Sequence, residues 1–394
     1  MVDDFTAFIH HVSTDVTLTE PQGHQPSDAL STPRSGPKRW PLCPIRMREK
    51  PSGTRSADTE FTCKTVPAKE AGNKHQKGGP ELGRIIISGA SGDLGRRVTK
   101  ILLAADPDIE LTLVSRTPEK LYKHKTHGIR VMRGDYQEPD SLNAAYTGGE
   151  VLFLISGLNL GHRVSETRNA IAAAKHAGIR HIVYTSVGGI HPNNPALSAR
   201  DHYQSELDLR ASGLDYTFLR NALYSEIISN VLVAPATSSG DISQATAKGR
   251  LAPAAKADVA RSAATVLLES AKHVGAVYEI TGPELLTFEE IAYIGSEVHD
   301  TPIKYVPISA DERLAFFDSI GIPRTYDPSM PPSADGHMWA SDELVTAEVA
   351  IAEGYQTVLS GHVKLITGRD PECLRSVMES VKSVRYDQIP AEVS

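Results

Sequence analysis

Three glycines spaced three apart, in Gly89-Ala90-Ser91-Gly92-Asp93-Leu94-Gly95, point most directly to chemistry in this chain. A short apolar run, Ile85-Ile86-Ile87-Ser88, leads into them, and a helical pattern leaves them. A diphosphate binds well at the start of a helix, where unpaired backbone N–H groups and the helix dipole favour negative charge. Side chains on the turn would hold it off. Gly89 is expected to make the tight turn, Gly92 to let the backbone approach, and Gly95 to let helix and strand pack closely. Ser91, Asp93 and Leu94 complete the turn and are expected at the cofactor with them. A bare glycine pattern is a weak signal, but a strand before and a helix after give it the context of a dinucleotide site.

The end of the next apolar run selects among dinucleotides. A site for NAD usually carries Asp or Glu there for the ribose hydroxyls, whereas one for NADP offers Arg instead. Here the run ends Leu113-Val114-Ser115-Arg116-Thr117-Pro118-Glu119-Lys120, with no acid at its tip. Arg116 and Lys120 are close to where a 2′-phosphate would lie, and the planar fork of Arg suits phosphate. NADP(H) is therefore the expected cofactor. Three later run ends complete the slot. Gly134-Asp135-Tyr136 is expected at the adenine, with Asp135 either there or a loop residue capping the next helix. Ser156-Gly157 and Thr185-Ser186 are expected to line the ribose and nicotinamide.

Reactive side chains are fewer. His202 and Glu206 are four apart, on one face of a helical pattern. A carboxylate beside an imidazole would raise its pKa and orient it. His202 is thus the expected proton donor or substrate clamp, unless the two are a plain helix-surface pair. Tyr203 is the alternative hydrogen-bond donor. Asn221 is expected at the pocket mouth, and Tyr224 against a flat substrate unless it is core. His337, Met338 and Trp339 follow a Pro-rich loop, either as a lid or as ordinary packing of the last helices. No Cys/His cluster has zinc spacing, so no metal is expected. No Gly-x-Ser-x-Gly nucleophile elbow is present.

The elements that must position these residues follow from Gly83 onward. Strands are expected at Ile85–Ser88, Ile109–Ser115, Ile129–Arg133, Val151–Ser156, Ile182–Ser186 and Tyr216–Leu219. Helical patterns lie between them, among them Asp93–Ala105, Arg163–Ala177 and Tyr203–Ala211. Such alternation implies right-handed crossovers and a Rossmann-type, doubly wound parallel sheet, an α/β fold. Near-continuous apolar strands agree with burial on both faces. Residues 81–222 are read as the dinucleotide-binding domain and 223–394 as a smaller α/β substrate lobe interleaved with it. That lobe has helices expected at Ala257–Ser270, Thr287–Val298, Asp342–Glu353 and Pro371–Lys382, with Thr287 and Glu290 forming a capping box. Strands are expected there at Val277–Ile280 and Ile303–Val306. Tyr326 to Gly336 reads as a loop. Residues 1–80, rich in Pro, Ser, Thr and charge, read as a disordered leader.

Composition sets the outer limits. The chain has 394 residues and a formal charge of −7, which gives no global reason to expect nucleic acid or a membrane as partner. No apolar run approaches the roughly 18–20 residues of a membrane span. Three cysteines, far apart, argue against a disulfide framework and fit a reducing, cytoplasmic compartment.

Several of these stretches together resemble the NmrA-like atypical short-chain dehydrogenases, most of all the branch of quinone oxidoreductases and triphenylmethane reductase. They are Gly89 to Gly95, Val131-Met-Arg-Gly-Asp-Tyr136, His181-Ile-Val-Tyr-Thr-Ser186, and His202-Tyr-Gln-Ser-Glu206 with Leu219-Arg-Asn-Ala-Leu-Tyr-Ser-Glu226. The likeness runs from about Arg84 to Ser380 and leaves out the leader. It implies an NADPH-dependent oxidoreductase, monomer or homodimer, that acts on a small conjugated, quinone-like or secondary-metabolite carbonyl substrate. The family also implies two alternatives, a non-catalytic NADP(H)-sensing regulator and a cofactor-bound isomerase or cyclase. The Tyr-x-x-x-Lys pair of the wider group is missing, since Leu207 follows Tyr203 and Gly188 follows Tyr184 at that spacing. Ala222-Leu223 stands where relatives tend to carry Gly-Trp.

Overall fold

A computed structural model describes residues 83–127, 129–159, 161–325 and 340–382. The leader at 1–80, the loop from Tyr326 to Gly336 and the expected lid of His337, Met338 and Trp339 lie outside the described residues.

Six strands and their crossovers come first: β1 (Ile85–Ser88), β2 (Leu111–Ser115), β3 (Arg130–Arg133), β4 (Val151–Leu154), β5 (His181–Val187) and β6 (Asp215–Asn221). Helices α1 (Asp93–Ala105), α2 (Pro139–Tyr146), α3 (Arg163–His176) and α4 (Leu197–Ala211) alternate with them. Two short strands follow, β7 (Asp241–Gln244) and β8 (Arg250–Leu251), then helix α5 (Lys256–Leu268) and strand β9 (Val277–Ile280). The main sheet is parallel throughout, in the order β3-β2-β1-β4-β5-β6-β9. The order reverses between β1 and β4, which opens a crevice at the carboxyl ends of the strands.

Alternate residues on each strand feed opposite cores. Ile85 and Ile87 pack with Val98 and Leu102 of α1 and with Val259 and Ala263 of α5. Ile86 faces the other way, with Leu152, Tyr184 and Phe218, under Ala170 and Ala174 of α3 and Leu209 of α4. Burial on both faces explains why these strands read as unbroken apolar runs.

The second half of the chain is woven into this sheet. Strand β9 and helix α5 belong to its layers, while a third core gathers the strand pairs β8 with β10 (Leu286–Thr287) and β7 with β11 (Lys304–Pro307) around helix α6 (Phe288–His299). Thr287 and Glu290 form the expected capping box at the start of α6. As the edge strand, β9 has its exposed polar groups satisfied by side chains. Glu279 N–H donates to His362 Nδ1 at 2.9 Å, and Ser360 Oγ donates to Glu279 O. Such plugging blunts an edge that would otherwise pair with another chain.

Most boundaries shift by one to three residues from the sequence reading, and two of the differences have a clear physical cause. Strand β2 starts at Leu111, because Ile109 N–H turns back to Asp106 O at 3.3 Å. Helix α4 starts at Leu197, well before Tyr203. Its first turn has no local periodic signal; Ala196 and Ala199 instead bury against Ala350 of a helix far along the chain, Ser341–Ala352.

Within the glycine turn the closest backbone approach is at Gly95. A Cβ there would sit 2.5 Å from Gly89 O and 2.7 Å from Ala90 Cα. In an ordinary helix interior Gly→Ala stabilises by about 1 kcal/mol. Here Gly95→Ala is expected to destabilise, by roughly 1–3 kcal/mol, because backbone must move. Chemical denaturation that finds the variant as stable as the parent, or more so, would contradict this packing.

Candidate active site

The glycine turn is held open by its own backbone. Gly89 has φ +84°. The Gly89 and Ala90 N–H groups both donate to Val114 O at 3.0 Å, which ties the turn to β2. Gly92 N–H closes it onto Gly89 O at 3.1 Å. Gly92 is the N-cap of α1 and has no side chain to cap with. Asp93 does not cap either, because its carboxylate turns to Arg97 Nε at 2.8 Å and Lys256 Nζ at 3.0 Å. Those two cations outweigh its burial and hold its pKa below the usual carboxylate value. Among the described residues the N–H groups of Ser91, Asp93 and Leu94 donate no hydrogen bond. The result is a cluster of unpaired donors at an exposed glycine, which fits an anion such as a diphosphate.

The neighbouring strand end extends this cradle. Ser91 Oγ meets Ser115 Oγ at 2.7 Å, and Ser115 Oγ accepts Thr117 N–H at 3.0 Å. Arg116 and Lys120 are exposed, and neither side chain has a hydrogen bond or ion pair among the described residues. An exposed guanidinium with no internal partner, beside a cradle of this kind, fits a second phosphate.

Strand ends β4 and β5 are stitched together, with Ser156 N–H donating to Thr185 Oγ1 at 2.9 Å. Gly157 lies directly over the Glu166 carboxylate, where any Cβ would collide. Glu166 is buried and accepts from Gln137 Nε2 at 3.1 Å and Asn159 Nδ2 at 2.6 Å. Asp135 closes a local turn, with Oδ1 accepting Gln137 N–H at 3.0 Å, and does not cap the next helix, whose N-cap position is Glu138.

The expected pairing of His202 with Glu206 does not form. Both face the sheet from α4, but each takes a partner on a strand. His202 Nδ1 meets Tyr184 Oη at 2.9 Å. Glu206 accepts Ser186 Oγ at 2.8 Å and a bidentate fork from Arg220, at 2.8 Å from Nε and 2.7 Å from Nη2. The imidazole pKa is consequently pushed well down rather than up, first by burial and then by the charge of Arg163. His202 is 4% exposed and lies against Tyr184 of β5. Tyr203 is half-buried, and its hydroxyl has no hydrogen-bond partner among the described residues.

At the end of β6 the geometry is richer than the sequence suggested. Asn221 is 6% exposed; its Nδ2 donates to Tyr224 Oη at 3.3 Å and its Oδ1 has no partner. Turning the amide over leaves its other end unpaired instead, so one buried polar group there is unsatisfied either way among the described residues. Burial raises the Tyr224 pKa to about 12, which keeps the hydroxyl protonated. The Lys256 ammonium lies 5.8 Å from the centre of the Tyr224 ring. Lys256 carried no local signal in the sequence: it is a lone lysine at a helix start, made significant by Asp93 far away in the chain. Among the described residues no group of His, Cys, Asp and Glu is arranged to hold a metal ion, and no helix is long and apolar enough to cross a membrane.

Comparisons with known proteins agree in kind. The sequence profile of a family described as NAD(P)H-binding matches residues 89–270. Quinone oxidoreductase 2 of Escherichia coli (strain K12) is 36% identical over 241 residues, covering 61% of this chain and 82% of that protein. The crystal structure of the NADPH-dependent quinone oxidoreductase from E. coli, complexed with NADPH, superposes with a TM-score of 0.68 at 31% identity, covering 76% of this chain and 99% of that one. The Citrobacter sp. triphenylmethane reductase complexed with NADP(H) gives a TM-score of 0.65 at 30% identity, over 76% and 99% of the two chains.

The buried imidazole makes a pH prediction. His202 resists protonation when folded but takes a proton below about pH 6.5 when unfolded. The unfolded state then binds the extra proton, so this group withdraws stability as pH falls through that value. Several buried carboxyls with raised pKa act the other way, among them Glu279 and Glu348. Comparison with His202→Gln cancels them. Urea denaturation is expected to show the parent losing ground to this variant between about pH 7 and pH 5. A gap between the two that stays constant across that range would mean that His202 titrates normally.

Proposed function

The chain belongs to the NmrA-like atypical short-chain dehydrogenase family, and from that premise we propose that it is an NADPH-dependent oxidoreductase delivering hydride to a small, flat, conjugated acceptor of the quinone type. The observation that carries this reading is the set of N–H groups at Ser91, Asp93 and Leu94 beside Arg116, all without a partner among the described residues. The first fits a diphosphate and the second a 2′-phosphate. When bound, the cofactor supplies the hydride, and the protein supplies position and electrostatics.

The roles divide by strand end. Gly92 lets the backbone of α1 approach the diphosphate, with Gly89 and Gly95 fixing the turn. Arg116, helped by Lys120, takes the 2′-phosphate. Ser156, Gly157, Thr185 and Ser186 line the nicotinamide half. Asn221 and Tyr224 meet the acceptor, Tyr224 as a neutral hydrogen-bond donor. We assign His202 and Glu206 to positioning: Glu206 fixes Ser186 and Arg220, and His202 fixes Tyr184. Tyr203 is the remaining candidate to touch the acceptor directly.

Two measurements test this. Oxidation of NADPH followed by absorbance is expected with quinones and enones as acceptors; tight NADPH binding without turnover on any of them would make the chain a sensor instead. Arg116→Ala is expected to weaken NADPH by about ten- to a hundredfold, the worth of a charge-assisted bond, and NADH hardly at all. Equal losses for both nucleotides would remove Arg116 from the phosphate site.

A further inference from the structure

We propose that Lys256 is a cofactor-binding residue, its ammonium donating directly to the diphosphate of the bound nucleotide. The inference rests on the dinucleotide reading above and adds a residue to it from the second half of the chain.

Four observations converge. Lys256 Nζ lies 3.0 Å from Asp93 Oδ2, so it stands at the first residue of α1, beside the unpaired N–H groups. The Lys256 side chain is only 15% exposed. An ammonium has three donors, and the bond to Asp93 is the only one it makes among the described residues. Two donors on a largely desolvated cation are therefore unspent, a costly arrangement unless a ligand takes them. Finally, the position of Lys256 is fixed. Its backbone N–H donates to both carboxylate oxygens of Glu226 at 3.1 Å, and its ammonium lies 5.8 Å from the centre of the Tyr224 ring.

The charges require this cation. Asp93 places a carboxylate at the helix start that should receive a diphosphate, and two anions there repel each other. Arg97 and Lys256 each take one oxygen of that carboxylate. The Arg97 side chain is 42% exposed, whereas that of Lys256 is 15% exposed and reaches in from the side where Tyr224 lies. The same ammonium thus offsets the carboxylate and offers its spare donors to the phosphate oxygens. Both NADPH and NADH carry the diphosphate, so Lys256 serves both, unlike Arg116.

Calorimetric titration of Lys256→Met with NADPH and with NADH tests the assignment. Met keeps the apolar stem and removes only the charge. Both dissociation constants are expected to rise by about tenfold or more, with their ratio unchanged. Lys256→Arg should stay within about threefold of the parent. In an Asp93→Asn background, Lys256→Met should still weaken both nucleotides, by at least about fivefold. A Lys256→Met protein with a parental melting temperature and parental affinity for both nucleotides would overturn the inference. So would loss of the effect in the Asp93→Asn background, because Lys256 would then only balance Asp93. A parent chain that captures neither nucleotide sinks the oxidoreductase reading with it, whereas a parent that binds both while Lys256→Met loses nothing sinks this inference alone.

Discussion

The contact between Gly95 and the backbone of Gly89 and Ala90 is the constraint on which the site depends. It presses the first turn of α1 onto the end of β1 more closely than any side chain allows. With the helix that close, the turn from Ser88 to Gly92 has no slack, and its N–H groups divide into two sets. Those of Gly89 and Ala90 are spent on Val114 O, which locks β1 to β2. Those of Ser91, Asp93 and Leu94 are left over. Unpaired donors at a helix start are usually satisfied by a cap. Here the cap residue is a glycine and the next side chain is turned away, so among the described residues these donors stay unpaired.

The rest of the molecule holds the other strand ends in register with that turn, and it does so largely with buried charge. Arg163 is 5% exposed; it bonds Asp201 of α4 at 2.6 Å and Glu343 of the helix Ser341–Ala352 at 3.0 Å, and donates to Gly157 O at 3.2 Å. One guanidinium thereby ties the loop after β4 to two helices from different halves of the chain. Arg220 does the same between Glu206 and Glu279. Buried ion pairs of this kind add little net stability against an apolar core, yet breaking one partner is costly. Their effect is to fix geometry: they make the orientation of Gly157, Ser186 and Asn221 depend on hydrogen-bond directions rather than on packing alone.

This division explains what the sequence made legible. The strand–turn–helix of the first crossover, the absence of an acid at the end of β2, the strand at Val277–Ile280 and the Thr287–Glu290 capping box are all local signals, and each is present as read. The misreadings share a cause. The i,i+4 spacing put His202 and Glu206 on one face of a helix, correctly, but it could not say that Tyr184 and Arg220 on neighbouring strands would claim them. The start of α4 at Leu197 is decided by Ala350, far along the chain. Lys256 and Asp93 are separated by more than a hundred and fifty residues and meet only because α5 packs beside α1. Chemistry that depends on which donors are already spent is a property of the folded hydrogen-bond network, and no spacing rule reports it.

The same network bears on the missing Tyr-x-x-x-Lys pair. That arrangement serves reactions in which an alkoxide must be protonated as it forms, and it needs a tyrosine whose pKa is lowered by its lysine. Tyr224 is the opposite case. Burial, with Glu226 and Asp93 nearby, holds its pKa at about 12, and the Lys256 ammonium is engaged with Asp93 rather than with the phenol oxygen. A tyrosine of that kind gives a hydrogen bond and keeps its proton. Hydride addition to a simple ketone leaves a localised, strongly basic alkoxide that must take a proton as it forms, the task for which a lysine-tuned tyrosine is suited. In a quinone or extended dye the added charge spreads over the conjugated system, and a neutral donor with a well-placed amide suffices. On the reading proposed above, in which Asn221 and Tyr224 meet the acceptor, a neutral donor of this kind suits delocalised acceptors better than simple carbonyls.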